Sequence, residues 1–311
     1  MKHYLMVFIK GMAMGAADIV PGVSGGTVAF ITGVYEELLD SLKKMTPASL
    51  AIWFREGFGA FWRHINGFFL MSLFCGILLS ILSLANVVTW LLAEHPLLVW
   101  GFFYGMVLAS TIYIAKPLPF RNPLIVFLFV VGVVFATGVS MIRPAELPGE
   151  WWVVFLAGSI AICAMLLPGT SGSFMLILMG LYGFILQSLV EFNLVILISF
   201  AAGCATGLLM FSHLLSWLLR NYHDVTLALM TGFLLGSLSI IWPWKHVLEM
   251  VVDRHGKQIP VQQENVLPDQ FLALTGTDPQ TLPVLGVALF GFILVFALEY
   301  GANVYRRKLQ K

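Results

Sequence analysis

The sequence predicts an all-α polytopic membrane protein built from two inverted repeats. Three observations predict it. Only 11% of the 311 residues are charged and 59% are hydrophobic, whereas soluble domains carry roughly a quarter charged residues. Apolar runs near the length that crosses a bilayer recur along the chain. One helix-breaking motif occurs twice inside apolar sequence, as Pro21-Gly22-Val23-Ser24-Gly25-Gly26 and as Pro168-Gly169-Thr170-Ser171-Gly172-Ser173.

In chain order, the apolar segments fall at 4–20, 26–42, 67–92, 96–115, 122–142, 151–167, 173–190, 194–219, 224–242 and 283–304. The first lacks a small-residue cleavage site, so a retained segment is expected rather than a signal peptide. Residues 43–66 mix Lys43, Lys44, Arg55 and Arg63 with Trp53, Phe54, Phe61 and Trp62. That pattern reads as an amphipathic helix lying on the membrane surface. Residues 243–282 are polar and read as an extramembrane loop.

The chain repeats itself. Shifting residues 11–42 by 147 brings eleven of 32 positions into identity, among them Gly11/Gly158, Pro21/Pro168, Ser24/Ser171, Gly25/Gly172, Gly33/Gly180 and Tyr35/Tyr182. Beyond residue 66 the shift becomes 127, matching Ser72/Ser199, Gly76/Gly203 and Trp90-Leu91-Leu92/Trp217-Leu218-Leu219. Residues 43–66 are therefore largely an insertion in the first copy. The expected division is a first repeat at 1–145 and a second at 146–311. The first holds a re-entrant hairpin at 4–42, the insertion and three spans. The second holds a hairpin at 151–190, three spans and the external loop 243–282.

The segments flanking each motif are only marginally long enough for a hydrocarbon core roughly 30 Å thick. Each pair is then either one bent crossing or a hairpin that returns to its own side. Lysine and arginine placement decides between them. With the N-terminus inside, hairpins put 13 of the 17 basic residues inside and 4 outside. Bent crossings give 8 inside and 9 outside, which is no bias. The hairpin arrangement inverts the second half and leaves both termini cytoplasmic.

Composition also excludes function classes. A net charge of +1 argues against a nucleic-acid partner. No nucleotide or dinucleotide fingerprint is present, and no cofactor or metal is expected. Cys75, Cys163 and Cys204 lie in apolar segments at no metal-ligand spacing and read as small core residues.

A Pro-Gly break at membrane depth frees backbone groups that must be buried in protein or face a watery cavity. The next helix then starts at Gly25 or Gly172, with its first N–H groups unpaired and partly positive. Ser24, Thr27, Ser171 and Ser173 add hydroxyls, while Gly25, Gly26 and Gly172 let a ligand come close. The expected result is an anion site made of backbone dipoles where two inverted hairpins meet, as in transporters with broken helices. Bulky side chains at Gly25 or Gly172 are then expected to stop transport without unfolding the protein.

Other residues carry two readings each. Asp18 precedes Pro21 by three residues and is either a coupling or gating group or a brace for the tip. Arg121 and Arg143 bracket one span and either hand an anion in and out or anchor the interface. Lys10 either approaches a head group or snorkels. Glu36, Glu37 and Asp40 read as solvated, paired with Lys43 and Lys44. His213 aligns with Asn86 and is either an interhelical hydrogen bond or a proton relay. Tyr35 and Tyr182 read as packing braces.

The stretch Gly15-Ala16-Ala17-Asp18-Ile19-Val20-Pro21-Gly22-Val23-Ser24-Gly25-Gly26-Thr27, with the second motif, resembles the bacterial undecaprenyl phosphate translocases. The resemblance covers nearly the whole chain. It implies a transporter rather than an enzyme, in the bacterial inner membrane. The implied role is to return undecaprenyl phosphate, the lipid carrier of cell-wall sugars, from the outer to the cytoplasmic leaflet. The residue reading leaves two alternatives: a transporter or channel for a soluble anion, and an intramembrane serine hydrolase using Ser24 or Ser171 with His213. Energy source, lipid chain length and oligomeric state, including a homo-oligomer, stay open at this point.

Overall fold

The computed structural model describes residues 2–19, 24–142, 147–252 and 258–309. In chain order the helices are α1 (Lys2–Ile19), α2 (Gly25–Ile31), α3 (Tyr35–Leu42), α4 (Pro47–Glu56), α5 (Phe58–His64), α6 (Gly67–Glu94), α7 (Pro96–Ala115) and α8 (Pro123–Ser140). Then follow α9 (Trp151–Leu166), α10 (Gly172–Leu178), α11 (Tyr182–Val190), α12 (Leu194–Asn221) and α13 (His223–Ser237). Two strands, β1 (Lys245–Val252) and β2 (Gln258–Asn265), precede α14 (Pro268–Thr275) and α15 (Thr281–Leu309).

Among the described residues, four helices are long and apolar enough to cross a membrane: Gly67–Leu84, Pro96–Ala115, Pro123–Ser140 and Leu194–Asn221. A fifth candidate is the pair α10 and α11, bent by 104°. The chain is a mostly helical, multi-pass membrane protein. Its helices turn large apolar side chains outward, with Leu82 80% and Met210 70% exposed. That is the reverse of a soluble protein and suits a lipid solvent.

The chain forms two compact units that cut across residue 145. Unit 1 is Met1–Val88 with Pro144–Thr226, and unit 2 is Thr89–Arg143 with Leu227–Lys311. In unit 1 the helices recur in matching order and length: α1 and α9 have 18 and 16 residues, α2 and α10 have 7 each, α3 and α11 have 8 and 9, and α6 and α12 have 28 each.

Small residues weld the long helices together. A Cβ on Gly11 would stand 2.2 Å from the Leu73 carbonyl oxygen, and one on Gly15 would stand 2.5 Å from that of Ile77. The Tyr4 and Phe68 rings lie 6.0 Å apart. Contacts therefore advance together along α1 and α6, so the two helices are parallel. The same holds for α9 and α12, where Gly158 meets Phe200 and Gly207 meets Ser159. Close backbone approach replaces the hydrophobic drive that lipid removes. Cys163 and Cys204 sit in this seam, their thiols 3.8 Å and 3.5 Å from the carbonyls of Gly207 and Gly158. Cys75 departs from expectation: it is exposed on α6, away from the glycine seam.

Each return arm, expected as one segment at 26–42 or 173–190, is broken in two. Gly33 and Gly180 take positive φ of 70° and 68°, ending α2 and α10 before α3 and α11 begin. A residue without Cβ makes that turn at least cost. The insertion is likewise two helices, parted at Gly57 with φ 87°. Trp53, Phe58, Phe61 and Trp62 from both helices pack ring on ring.

Unit 2 pairs α7 with α15 and α8 with α13, again in parallel. Gly101 meets Val284 and Gly105 meets Ala288, while Gly132 meets Leu229 and Gly236 meets Val133. The polar stretch 243–282 is more than a loop: β1 and β2 form an antiparallel hairpin, with Lys245 opposite Asn265. Trp244, Val266 and Phe271 pack with Leu97 and Val284 beneath it.

Candidate functional site

The two motif tips touch each other within unit 1. Pro21, Gly22 and Val23 lie outside the described residues. Ser24 caps α2 from extended backbone, its Oγ accepting from the Gly26 N–H at 3.1 Å and donating to the Met165 carbonyl at 3.3 Å. The Asp18 carboxylate accepts from the Gly25 N–H at 2.6 Å. Thr27 Oγ1 accepts from the Gly169 N–H at 2.8 Å, and the buried Tyr35 hydroxyl donates to the Leu166 carbonyl at 2.6 Å. Four side chains of the first tip are thus committed. Ser24 and Thr27 are each only 2% exposed. Ser24 and Thr27, with the Gly25 and Gly26 N–H groups, thus take partners within the two tips.

The second tip is different. Gly169 supplies the left-handed turn at φ 85°. Thr170 folds inward, donating to the Ala164 and Leu167 carbonyls. Ser171 makes no capping bond to α10. Its hydroxyl lies 2.9 Å from that of Ser173, on the accessible side. Where the first tip has Asp18, the second has Met165. So a carboxylate fills only the first tip.

The glycines are tight. A Cβ on Gly26 would stand 2.4 Å from the Met165 carbonyl oxygen, and one on Gly172 would stand 2.6 Å from that of Ala161. Both obstacles are backbone. The expectation that a bulky residue at Gly172 stops transport without harm to the fold is therefore corrected. At Gly25 the obstacle is the Asp18 carboxylate, 2.5 Å away, which belongs to the brace itself.

The remaining candidates scatter. Among the described residues His213 bonds only within α12: its Nδ1 donates to the Leu209 carbonyl at 2.8 Å, and its ring is exposed. This bond lies within α12 and is not the expected interhelical one. Arg121 is exposed in the turn between α7 and α8 of unit 2. Arg143 lies outside the described residues. Lys10 donates to the Thr32 carbonyl at 2.5 Å, at the C-terminal end of α2.

The ionised residues after the first hairpin are not simply solvated. Asp40 accepts from Lys43 at 2.5 Å, from Ser216 at 2.7 Å and from Arg220 at 2.7 Å. Glu37 accepts from Asn66 at 3.0 Å. The tie from Asp40 to Arg220 joins residues 180 apart in sequence. No spacing rule could have found it.

A family profile described as VCA0040-like, undecaprenyl phosphate translocase-like, matches residues 14–259. The chain belongs to this family. The match spans both motif tips. A polyprenyl-phosphate transporter of Vibrio cholerae serotype O1 is 46% identical over 297 residues, covering 96% of each chain. A polyprenyl-phosphate transporter of Staphylococcus aureus is 30% identical over 256 residues, covering 76% of this chain and 85% of the relative. No solved structure matches the chain.

Proposed function

We propose that this chain moves a polyprenyl monophosphate, the undecaprenyl carrier of cell-wall sugars, from the outer to the cytoplasmic leaflet of the bacterial inner membrane. The observation that carries the reading is likeness along 96% of both chains to a protein named as a polyprenyl-phosphate transporter. A chain that keeps the whole molecule keeps the frame in which substrate is handled.

The site geometry agrees with such a substrate. The phosphate meets Ser171, Gly172 and Ser173, where two hydroxyls stand accessible. The first tip, with Asp18 in its own helix end, holds that surface in place. The polyprenyl tail stays among the outward apolar side chains.

Helix directions support two re-entrant hairpins of opposite sense. Parallel α1 and α6 start at one end of unit 1, so the chain between them returned to that end. Parallel α9 and α12 argue the same for the second hairpin. Arg220, at the far end of α12, reaches Asp40 beside the mouth of the first. The second hairpin thus comes from the opposite end. Both termini are then cytoplasmic, and alternating access exposes the tips to each leaflet in turn.

The test is a liposome assay with polyprenyl phosphate loaded into one leaflet. Replacing Ser171 and Ser173 together with alanine should slow its appearance in the other leaflet while thermal unfolding stays near wild type. Transport unaffected by the double change would reject these contacts. Wild-type protein that moves inorganic phosphate but no lipid would favour a soluble-anion transporter.

A further inference from the structure

Unit 2 holds a cation that no described neighbour neutralises. Lys245 follows Trp242-Pro243-Trp244 and opens β1. Its ammonium stands 5.0 Å from the centre of the Trp100 ring. It also donates to the Ile240 carbonyl, just beyond the end of α13. An ammonium carries three protons. One carbonyl and one ring face leave it partly unsatisfied. Among the described residues no carboxylate pairs with it.

The surroundings are built rather than loose. The indole N–H of Trp242 donates to the Val266 carbonyl at 2.9 Å, and that of Trp244 to the Pro279 carbonyl at 2.8 Å. Trp242 packs against Trp244 and against Tyr104, each with ring centres 5.4 Å apart. Trp100 and Tyr104 lie one turn apart on α7, so they share a face. The Tyr104 hydroxyl has no hydrogen-bond partner among the described residues.

Burial pushes the Lys245 ammonium down to about 8, so at neutral pH it is still charged. A charge stripped of water and left without a counter-ion is costly. An incoming anion offsets that cost, and the rings beside it suit an apolar chain on the same molecule.

We propose that Lys245, seated on Trp100, forms a second anion-binding site, in unit 2, for a phosphate group. The phosphate pairs with the ammonium while the tryptophan and tyrosine rings contact whatever the phosphate is attached to. The chemistry is that of a lipid head group or of free phosphate. The lipid source rests on the transport reading above, which places residues 243–282 outside and the site where outer-leaflet substrate is first met.

The test reads Lys245 itself, in full-length protein in detergent. An amine-acylating reagent is applied at pH 8, and modification of Lys245 is followed by mass spectrometry, with exposed Lys116 as internal control. Polyprenyl monophosphate at about ten times its half-protecting concentration should slow Lys245 labelling about tenfold, leaving Lys116 unchanged. The uncharged polyprenol should give no protection. Inorganic phosphate that protects as well as the lipid supports the site and assigns it to free phosphate. Protection by neither, or equal protection by polyprenol, overturns the proposal. So does a Lys245 that resists the reagent in free protein, since no ligand would reach it. The readout needs no transport. Protection in protein that moves no lipid keeps this site and sinks the translocase reading, and transport without protection does the reverse.

Discussion

Asp18 sits where an anion would sit. Its carboxyl oxygen takes the Gly25 N–H at the start of α2, so the first tip carries its own acceptor. A brace needs only an acceptor oxygen, whereas a coupling group needs a titratable one. Asp18→Asn is therefore expected to keep transport and thermal stability near wild type. Asp18→Ala strands the amide and should cost about 1–3 kcal/mol in stability. Loss of transport in Asp18→Asn, with stability intact, would favour coupling instead. Glycine substitutions separate just as clearly. Gly172→Ala drives a Cβ onto a backbone oxygen and should cost about 1–3 kcal/mol. Gly286→Ala meets nothing within 4 Å in α15 and should gain about 0.5–1 kcal/mol. Thermal unfolding in detergent measures both. Lys245 predicts a pH effect. Its ordinary value of 10.5 falls to about 8 in the fold. Below pH 8 both folded and unfolded chains are charged, and the folded one bears the cost of burial. As pH rises from about 8 to 10.5 the folded chain loses its proton first and that cost lifts, so stability should climb by about 3 kcal/mol. Lys245→Gln should flatten that climb in unfolding midpoints measured across the window. The motif donors were legible in sequence because Pro, Gly and Ser announce a break and its caps. Which partner each group takes was not legible, because the Met165 carbonyl that accepts from Ser24 and the Gly169 N–H that donates to Thr27 come from the other repeat, more than a hundred residues away.

The elements show where periodicity runs out. Segments 26–42 and 173–190 look continuous because their apolar character does not change at the break. Gly33 and Gly180 were visible as a repeated pair, yet a repeated glycine alone does not say left-handed turn or close contact. The φ values of 70° and 68° say turn. Gly57 divides the surface insertion for the same reason. Lys245 was overlooked because one lysine in a polar stretch carries no pattern; the flanking Trp242 and Trp244 were the available signal. At the mouth of the first hairpin, α3 is tied to α12 through Asp40, Lys43, Ser216 and Arg220. Arg220 is mostly exposed, so its pair with Asp40 contributes about 1 kcal/mol or less. The sign of coupling is the sharper expectation. Asp40→Asn and Arg220→Gln should each lower the unfolding midpoint, and the double variant should lose less than the two singles together. Strictly additive losses would show that the tie carries no energy of its own.

For the whole molecule, the charge count and the helix directions are independent arguments for one topology. The first used only where Lys and Arg fall in sequence. The second uses which helices run parallel. In unit 2, contacts advance together from Gly101 with Val284 to Gly105 with Ala288, so α7 and α15 point the same way. Bent single crossings would set α7 and α15 antiparallel, and would put Asp40 and Arg220 on opposite faces of the membrane. Their 2.7 Å bond joins them on one. Re-entrant hairpins satisfy all three observations. The proposed hairpins would also set which surface residues each compartment sees. In a background with Cys75, Cys163 and Cys204 replaced, a cysteine at Asn66 should be shielded in intact cells from a membrane-impermeant thiol reagent and labelled once the cells are opened. A cysteine at Asp278, beyond the β-hairpin, should be labelled in intact cells. Both positions carry polar side chains outside the apolar spans. Labelling of Asn66→Cys from outside would mean that α1 to α3 cross the membrane. The two tips would then lie along single spans, and the access route proposed for the phosphate would have to be redrawn.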